Sequence, residues 1–527
     1  MSITVPLIGG GKNIKSGEIM REFEKTPDGG RLNIRGAGKY VLIPVCETDR
    51  KEELICEVDG EIIWHFKVPY LESADKILYY GAINTGCENI TVSGDFTDAF
   101  FAAVKASDQI PEAADTHPAV HFAARNGWIN DPNGLIFHDG VYHMYFQFNP
   151  VDTVWENMSW GHAVSRDLLH WTQTDDAMYP DGDGTIFSGS AIENKGSCLS
   201  LPENALLLFY TSAGGTSPWS KDKSFTQKIA YSLDGDNTFT KIKEPALNCL
   251  AKENRDPKIY WYEPRKLYYM VLYLENDEFA ILNSADLRNF TVTQHLYMEG
   301  SGECPDLRRL PCDDGSEQWL FMQADGRYYL GDFDGSRFEI KSGLLRAYKS
   351  ELPYAAQTMN QPEERVILIP WLRTRNSGCA YTGMMGLARE LSLVRRDGQY
   401  KLRLKPVREY FSARRETDNP VYSFAQNRAL EIELNLGNSS SAEVLIGQLT
   451  VAYDKEQGTL RIGKDEFFFE KELDGLHILI DKGILEITSP DYLYLFTAEV
   501  SESLQEGEVK VGNQSPENGV EAVLYEI

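Results

Sequence analysis

Arg125-Asn126-Gly127-Trp128-Ile129-Asn130-Asp131-Pro132-Asn133-Gly134 gathers a carboxylate, side-chain amides and a large indole on ten residues punctuated by two glycines and a proline. Asn-Asp-Pro-Asn-Gly is turn chemistry: Asp and Asn bond their own backbone, Pro fixes φ, and Gly accepts positive φ. Leu135-Ile136-Phe137, then His138-Asp139-Gly140, then Val141-Tyr142-His143-Met144-Tyr145-Phe146 read as strand, two-residue turn, strand. Asp131 is therefore expected where a strand enters a hairpin, beside aromatic side chains and a row of polar donors. Taken alone, an Asp in such a turn more often only makes the turn.

Two further carboxylate motifs change that balance. Asn254-Arg255-Asp256-Pro257-Lys258 precedes the aromatic strand Ile259-Tyr260-Trp261-Tyr262, and Gly302-Glu303-Cys304-Pro305-Asp306-Leu307 follows later. In this order the three blocks resemble glycoside hydrolase family 32, the β-fructosidases that include invertases, levanases and inulinases. Other segments are similar as well: Gln147-Phe148-Asn149-Pro150, Trp160-Gly161-His162-Ala163, Ile186-Phe187-Ser188-Gly189, Tyr354-Ala355-Ala356-Gln357-Thr358 and Ala388-Arg389-Glu390-Leu391. The resemblance runs from His117 to Leu391, over half of the chain.

The 527 residues allow two to four domains, and 42% hydrophobic with 11% aromatic content fits a large core. A formal charge of −27 argues against a nucleic-acid partner, because phosphate backbones are bound through clustered Lys and Arg. A neutral sugar is indifferent to that charge. The eight cysteines are scattered without a Cys-x-x-Cys pair, an arrangement ordinary for a reducing compartment. No apolar run is long enough to cross a membrane, so no membrane partner is expected. Met1-Ser2-Ile3-Thr4-Val5 lacks the features of a signal peptide, and a cytoplasmic location is the expectation.

Short alternating runs between Gly, Asp and Asn turns predict an all-β chain. Tyr40-Val41-Leu42-Ile43-Pro44-Val45, the run from Glu61 to Val68, and Asn89-Ile90-Thr91-Val92-Ser93 suggest an additional N-terminal β-sandwich-like domain over 1–112, with a linker around Pro111 to Pro118. Four stretches then share an Asp turn followed by an aromatic, at Trp171, Phe239, Phe290 and Phe338. These recur at intervals of roughly fifty to seventy residues, which suggests propeller blades. The resemblance implies a five-bladed β-propeller catalytic domain over 117–410. Clean alternation from Ala429 to Leu436, and the pair around Lys482-Gly483, predict a C-terminal β-sandwich over 413–527.

The resemblance also implies a retaining mechanism. Asp131 is the nucleophile on a fructofuranosyl unit, Glu303 the acid/base, and Asp256 the third acid that grips hydroxyls, with Arg255 beside it. Asn130, Pro132, Asn133, Gln147, Trp155, Phe187, Ser188 and Arg255 are expected to line the sugar site: amides bond hydroxyls and aromatics cover the flat C–H faces. The implied activity is exo-hydrolysis of terminal β-D-fructofuranosyl units of sucrose, fructo-oligosaccharides, inulin or levan. Two alternatives stay open, a fructosyltransferase and a non-catalytic fructan-binding propeller. His117 and His121 straddle a proline without a His-Glu-x-x-His core, and no metal or organic cofactor is implied. Linkage preference and oligomeric state are not encoded in these motifs.

Overall fold

The computed structural model describes residues 19–36, 38–86, 89–111, 117–299, 302–361, 365–418, 421–422, 428–469, 472–500, 507–512 and 519–527. Most of the expected linker lies outside these residues. Five sheets, each built on four antiparallel strands and three of them with one short extra strand, follow one another in the middle of the chain. Their inner strands are Gly127–His138, Thr185–Glu193, Arg255–Tyr262, Asp306–Pro311 and Pro353–Thr358. This is a five-bladed β-propeller. It is closed by Tyr381–Thr382, which leaves the fifth blade to pair in parallel with Gly127 and Trp128 of the first.

The repeat seen in the sequence marks one recurring turn. In the first three blades a Ser hydroxyl donates to the Asp two residues on, as Ser165 to Asp167, Ser232 to Asp234 and Ser284 to Asp286. The Asp then accepts from backbone N–H groups that open the fourth strand. Asp334 does the same in the fourth blade. The fifth blade turns instead on Asp397-Gly398, both at positive φ, between Arg389–Arg396 and Gln399–Pro406.

The decisive stretch differs from its expected conformation. Asn-Asp-Pro-Asn-Gly is not a turn but lies within the twelve-residue strand Gly127–His138. Its turn residues are absorbed as two irregularities in the pairing with Val141–Asn149. Gly134, at φ +50, lets the strand pass the Tyr145 ring, which would stand 2.6 Å from a Cβ there. The turn itself is Asp139-Gly140, both at positive φ, as the sequence predicts.

Every blade breaks register or strains its backbone near the start of its inner strand. The pairings slip between Phe187 and Gly189, between Arg255 and Lys258, and between Tyr354 and Gln357. Asp256 (φ 59), Glu303 (φ 72), Cys304 (φ 45) and Ala355 (φ 47) adopt the left-handed conformation that non-glycine residues seldom use. Below this level the axis is filled by a buried polar network. Lys258 Nζ lies 3.5 Å from Asp306 and donates to the Thr358 carbonyl, while the Thr358 N–H and Tyr260 hydroxyl donate to Asp306. These bonds join the third, fourth and fifth blades and leave no buried charge alone.

A five-stranded and a three-stranded sheet precede the propeller and share one core around Trp64, Phe66, Val41, Ile43 and Ile83. Two six-stranded sheets follow it around another core that includes Ile432, Val444, Leu460 and Ile478. The hairpin Gly475–Asp481 to Ile484–Thr488 turns on Lys482-Gly483 as expected. It also locks onto the propeller. Asp481 accepts from the backbone N–H groups of Ala119, Val120 and His121, and from the His121 ring at 2.9 Å. Glu486 lies between His121 and the buried Arg389. Among the described residues no helix is long and apolar enough to cross a membrane.

Candidate active site

The strained starts of the inner strands bring the three predicted acids together. On the first, the Trp128 indole donates to Asn130 Oδ1 at 2.8 Å, and Asn130 Nδ2 donates to Asp131 Oδ1 at 3.0 Å. From the second, Ser188 Oγ donates to Asp131 Oδ2 at 2.6 Å. Two donors thus fix the Asp131 carboxylate, and no Lys or Arg pairs with it among the described residues. Burial, then the nearby Glu303 charge, raises its pKa above the usual Asp range.

Asp256 is buried at the start of the third inner strand, with its N–H bonded to Thr211 Oγ1. Its Oδ2 accepts from the Cys304 backbone N–H at 3.2 Å and lies 3.5 Å from Arg255 Nε. Burial raises its pKa to about 7; Arg255 opposes the shift, and Glu303 and Asp131 add to it. The Cys304 thiol stands 3.6 Å from both Asp131 and Asp256, wedged between the two carboxylates. The donor atoms of these three residues all fall within 4.8 Å of one another. Burial and the surrounding carboxylates hold the thiol well above its ordinary pKa, so it is a neutral spacer and no nucleophile.

Glu303 occupies the more open side. Arg255 Nη2 donates to its Oε2 at 2.9 Å and the Tyr354 hydroxyl to its Oε1 at 2.6 Å. Arg255 thereby bridges two of the acids, its guanidinium stacked 4.5 Å above the Tyr273 ring. A buried carboxylate cluster without such a cation would be strongly self-repelling. Around the acids stand two aromatic groups. Trp155, Phe187 and Phe225 meet edge to face at 6.0 and 5.6 Å. Trp371 lies between Trp128 and Tyr354 at 5.9 and 6.3 Å.

The predicted lining residues divide into three groups. Trp155, Phe187 and Arg255 keep exposed surface, Trp155 as much as 53%. Asn130 and Ser188 are nearly buried and act on Asp131 directly. Pro132, Asn133 and Gln147 lie behind the site. Asn133 is fully buried, with Oδ1 accepting from the Gly189 N–H, and Gln147 donates to the Ile186 carbonyl. These bonds of Asn133 and Gln147 join the first blade to the second.

Sequence reading missed Tyr354 as a partner of Glu303 and Tyr273 as the platform of Arg255. Tyr354 stands in a segment the resemblance singled out, but nothing local says that its hydroxyl reaches another blade. Tyr273 is one aromatic among many, and no signal marks it.

A five-bladed propeller flanked by a β-sandwich is an architecture shared with solved structures. The exo-inulinase of Aspergillus awamori superposes with a TM-score of 0.67 at 21% identity, over 79% of this chain and 99% of that one. A glycoside hydrolase family 32 structure from Bifidobacterium adolescentis has a TM-score of 0.63 at 18% identity, over 94% of this chain and 98% of that one. These likenesses establish the fold. The family model "Glycosyl hydrolases family 32 N-terminal domain" matches residues 121–406, and the chain belongs to glycoside hydrolase family 32. A levanase of Bacillus subtilis (strain 168) is 36% identical over 265 residues, 46% of this chain and 38% of the levanase, so the chain spans well under half of that relative's length.

Proposed function

We propose that the protein is a retaining, exo-acting β-fructosidase that releases terminal β-D-fructofuranosyl units from sucrose, fructo-oligosaccharides or fructans. The observation that carries this reading is the difference in environment among three clustered carboxyls. Asp131 is oriented by a donor on each oxygen and pairs with no Lys or Arg among the described residues, so a lone pair remains to attack the anomeric carbon. Glu303 faces the open side, where a leaving group departs. Asp256, gripped by Arg255 and the Cys304 N–H, is oriented to accept sugar hydroxyls.

In the first step Asp131 bonds to the anomeric carbon while the glycosidic C–O bond breaks and Glu303 gives its proton to the leaving oxygen. In the second, Glu303 takes a proton from water, whose oxygen displaces Asp131 and releases fructose. The Michaelis complex is held by the aromatic walls, which desolvate the sugar faces. Incubation with sucrose, short inulin and levan, followed by product analysis, tests the proposal. Fructose as the first product from at least one of them is expected; no fructose from any would defeat it.

A further inference from the structure

The loop 151–157, which carries Trp155, joins the strands Val141–Asn149 and Ser159–Ser165 of the first blade. Its anchorage lies largely outside the propeller. Val151 is fully buried in the core of the N-terminal sandwich, approaching so near Gly81 that a Cβ there would stand 2.6 Å from its methyl. Lys51 Nζ lies 2.5 Å from Asp152 and 3.1 Å from Glu156, and Lys67 Nζ lies 2.9 Å from Glu156. Asn157 bonds the Lys67 backbone twice: Oδ1 accepts from its N–H at 3.0 Å and Nδ2 donates to its carbonyl at 2.9 Å.

Both ends of the loop are therefore held by one neighbouring domain, and Trp155 lies between them. The Lys51 pair is mostly buried, a setting in which a charge pair resists loosening better than on open surface. Trp155 itself leans on Phe187, whose neighbour Ser188 donates to the Asp131 carboxylate. An indole half open to solvent, yet held in one place by its loop, suits stacking on a sugar. Its position depends on residues roughly ninety to one hundred positions earlier in the chain.

We infer that the N-terminal sandwich is a specificity element of the site, with Lys51, Lys67 and Asn157 as positioning residues that hold Trp155 against the substrate. This rests on the fructosidase reading given above. The prediction is that Lys51→Met combined with Lys67→Met raises KM for a fructan trisaccharide on the order of tenfold, the scale of a misplaced binding group, with kcat within about twofold. Trp155→Ala should do the same, and adding it to the lysine pair should cost nothing more, because both changes remove one wall. Lys51→Arg, which keeps the cation, should retain the wild-type KM.

Hydrogen exchange reads the tether without any substrate. Amides of 151–157 and of Lys67 should exchange faster in the double Met variant, while those of the fifth blade stay unchanged. Asn157→Ala supplies a second variant should the lysine pair fold poorly. Additive effects of the lysine and Trp155 changes, or unchanged exchange and KM, would overturn the inference. Failure of the unaltered protein to release fructose would instead defeat the reading of the site, with the exchange result still deciding the tether.

Discussion

At the scale of single residues, the site works by giving three like groups unlike partners. Asp131 has donors only, Asp256 has an arginine and a backbone N–H, and Glu303 has an arginine and a tyrosine hydroxyl. After burial, the Glu303 charge is the next cause of the raised Asp131 pKa. Removing it in Glu303→Gln should let Asp131 ionise at lower pH. The acid limb of the kcat/KM profile should then move to lower pH with a fructosyl fluoride, whose departure needs no proton; an unmoved limb would count against the coupling. Tyr354→Phe removes the hydroxyl that orients Glu303. It should lower kcat/KM by about tenfold or more for sucrose, where protonation of the leaving oxygen matters, and far less for the fluoride. Equal losses on both substrates would show that Tyr354 serves the fold instead.

At the scale of elements, the bulged inner strand is the device that makes the site. A regular strand alternates its side chains and could not aim Trp128, Asn130 and Asp131 in sequence toward one pocket. The two register slips, one at Asn130-Asp131 and one at Gly134-Leu135, supply the extra turn. Gly134→Ala meets both a positive φ and the Tyr145 ring. It should destabilise the protein by about 1–3 kcal/mol, and it should lower activity more than stability alone explains, because Asp131 is three residues away. Thermal melts beside kcat/KM separate the two; full activity at an unchanged melting temperature would contradict the account.

Legibility in the sequence divides along this same line. The Asp139-Gly140 hairpin, the recurring Ser-x-Asp turns and the alternating C-terminal strands were readable because each is set by residues adjacent in the chain. The three acids were readable from the family resemblance. Their contacts were not, since Ser188, Cys304 and Tyr354 meet Asp131, Asp256 and Glu303 only once different blades are assembled. The burial of Asn133 was hidden for another reason. A bulge shifts which face a side chain occupies, and turn-forming composition reads the same in a turn and in a bulge.

At the scale of the whole molecule, two sandwiches grip the propeller through different segments. The C-terminal grip is a buried charge cluster of His121, Asp481, Glu486 and Arg389. Burial opposes protonation of His121, but bonds to Asp481 and Glu486 outweigh it and lift its pKa to about 9, from an ordinary 6.5. A raised folded-state value means that the stabilisation is complete below 6.5 and fades as pH climbs toward 9. The shift corresponds to about 3 kcal/mol. Unfolding followed across that window should show the loss in the unaltered protein. His121→Gln should be less stable at the acid end and should vary much less with pH; parallel curves would refute the role given to this cluster.

The central claim is that fructosyl transfer passes through a covalent bond to Asp131, and acid-quenched turnover read by peptide mass spectrometry tests it most directly. With a fructosyl fluoride and Glu303→Gln, in which the second step lacks its base, the peptide containing Asp131 should gain the mass of one fructosyl unit. The adduct should vanish in a protein that also carries Asp131→Asn. Rapid fructose release with no adduct on that peptide, or undiminished turnover by Asp131→Asn alone, would contradict the account.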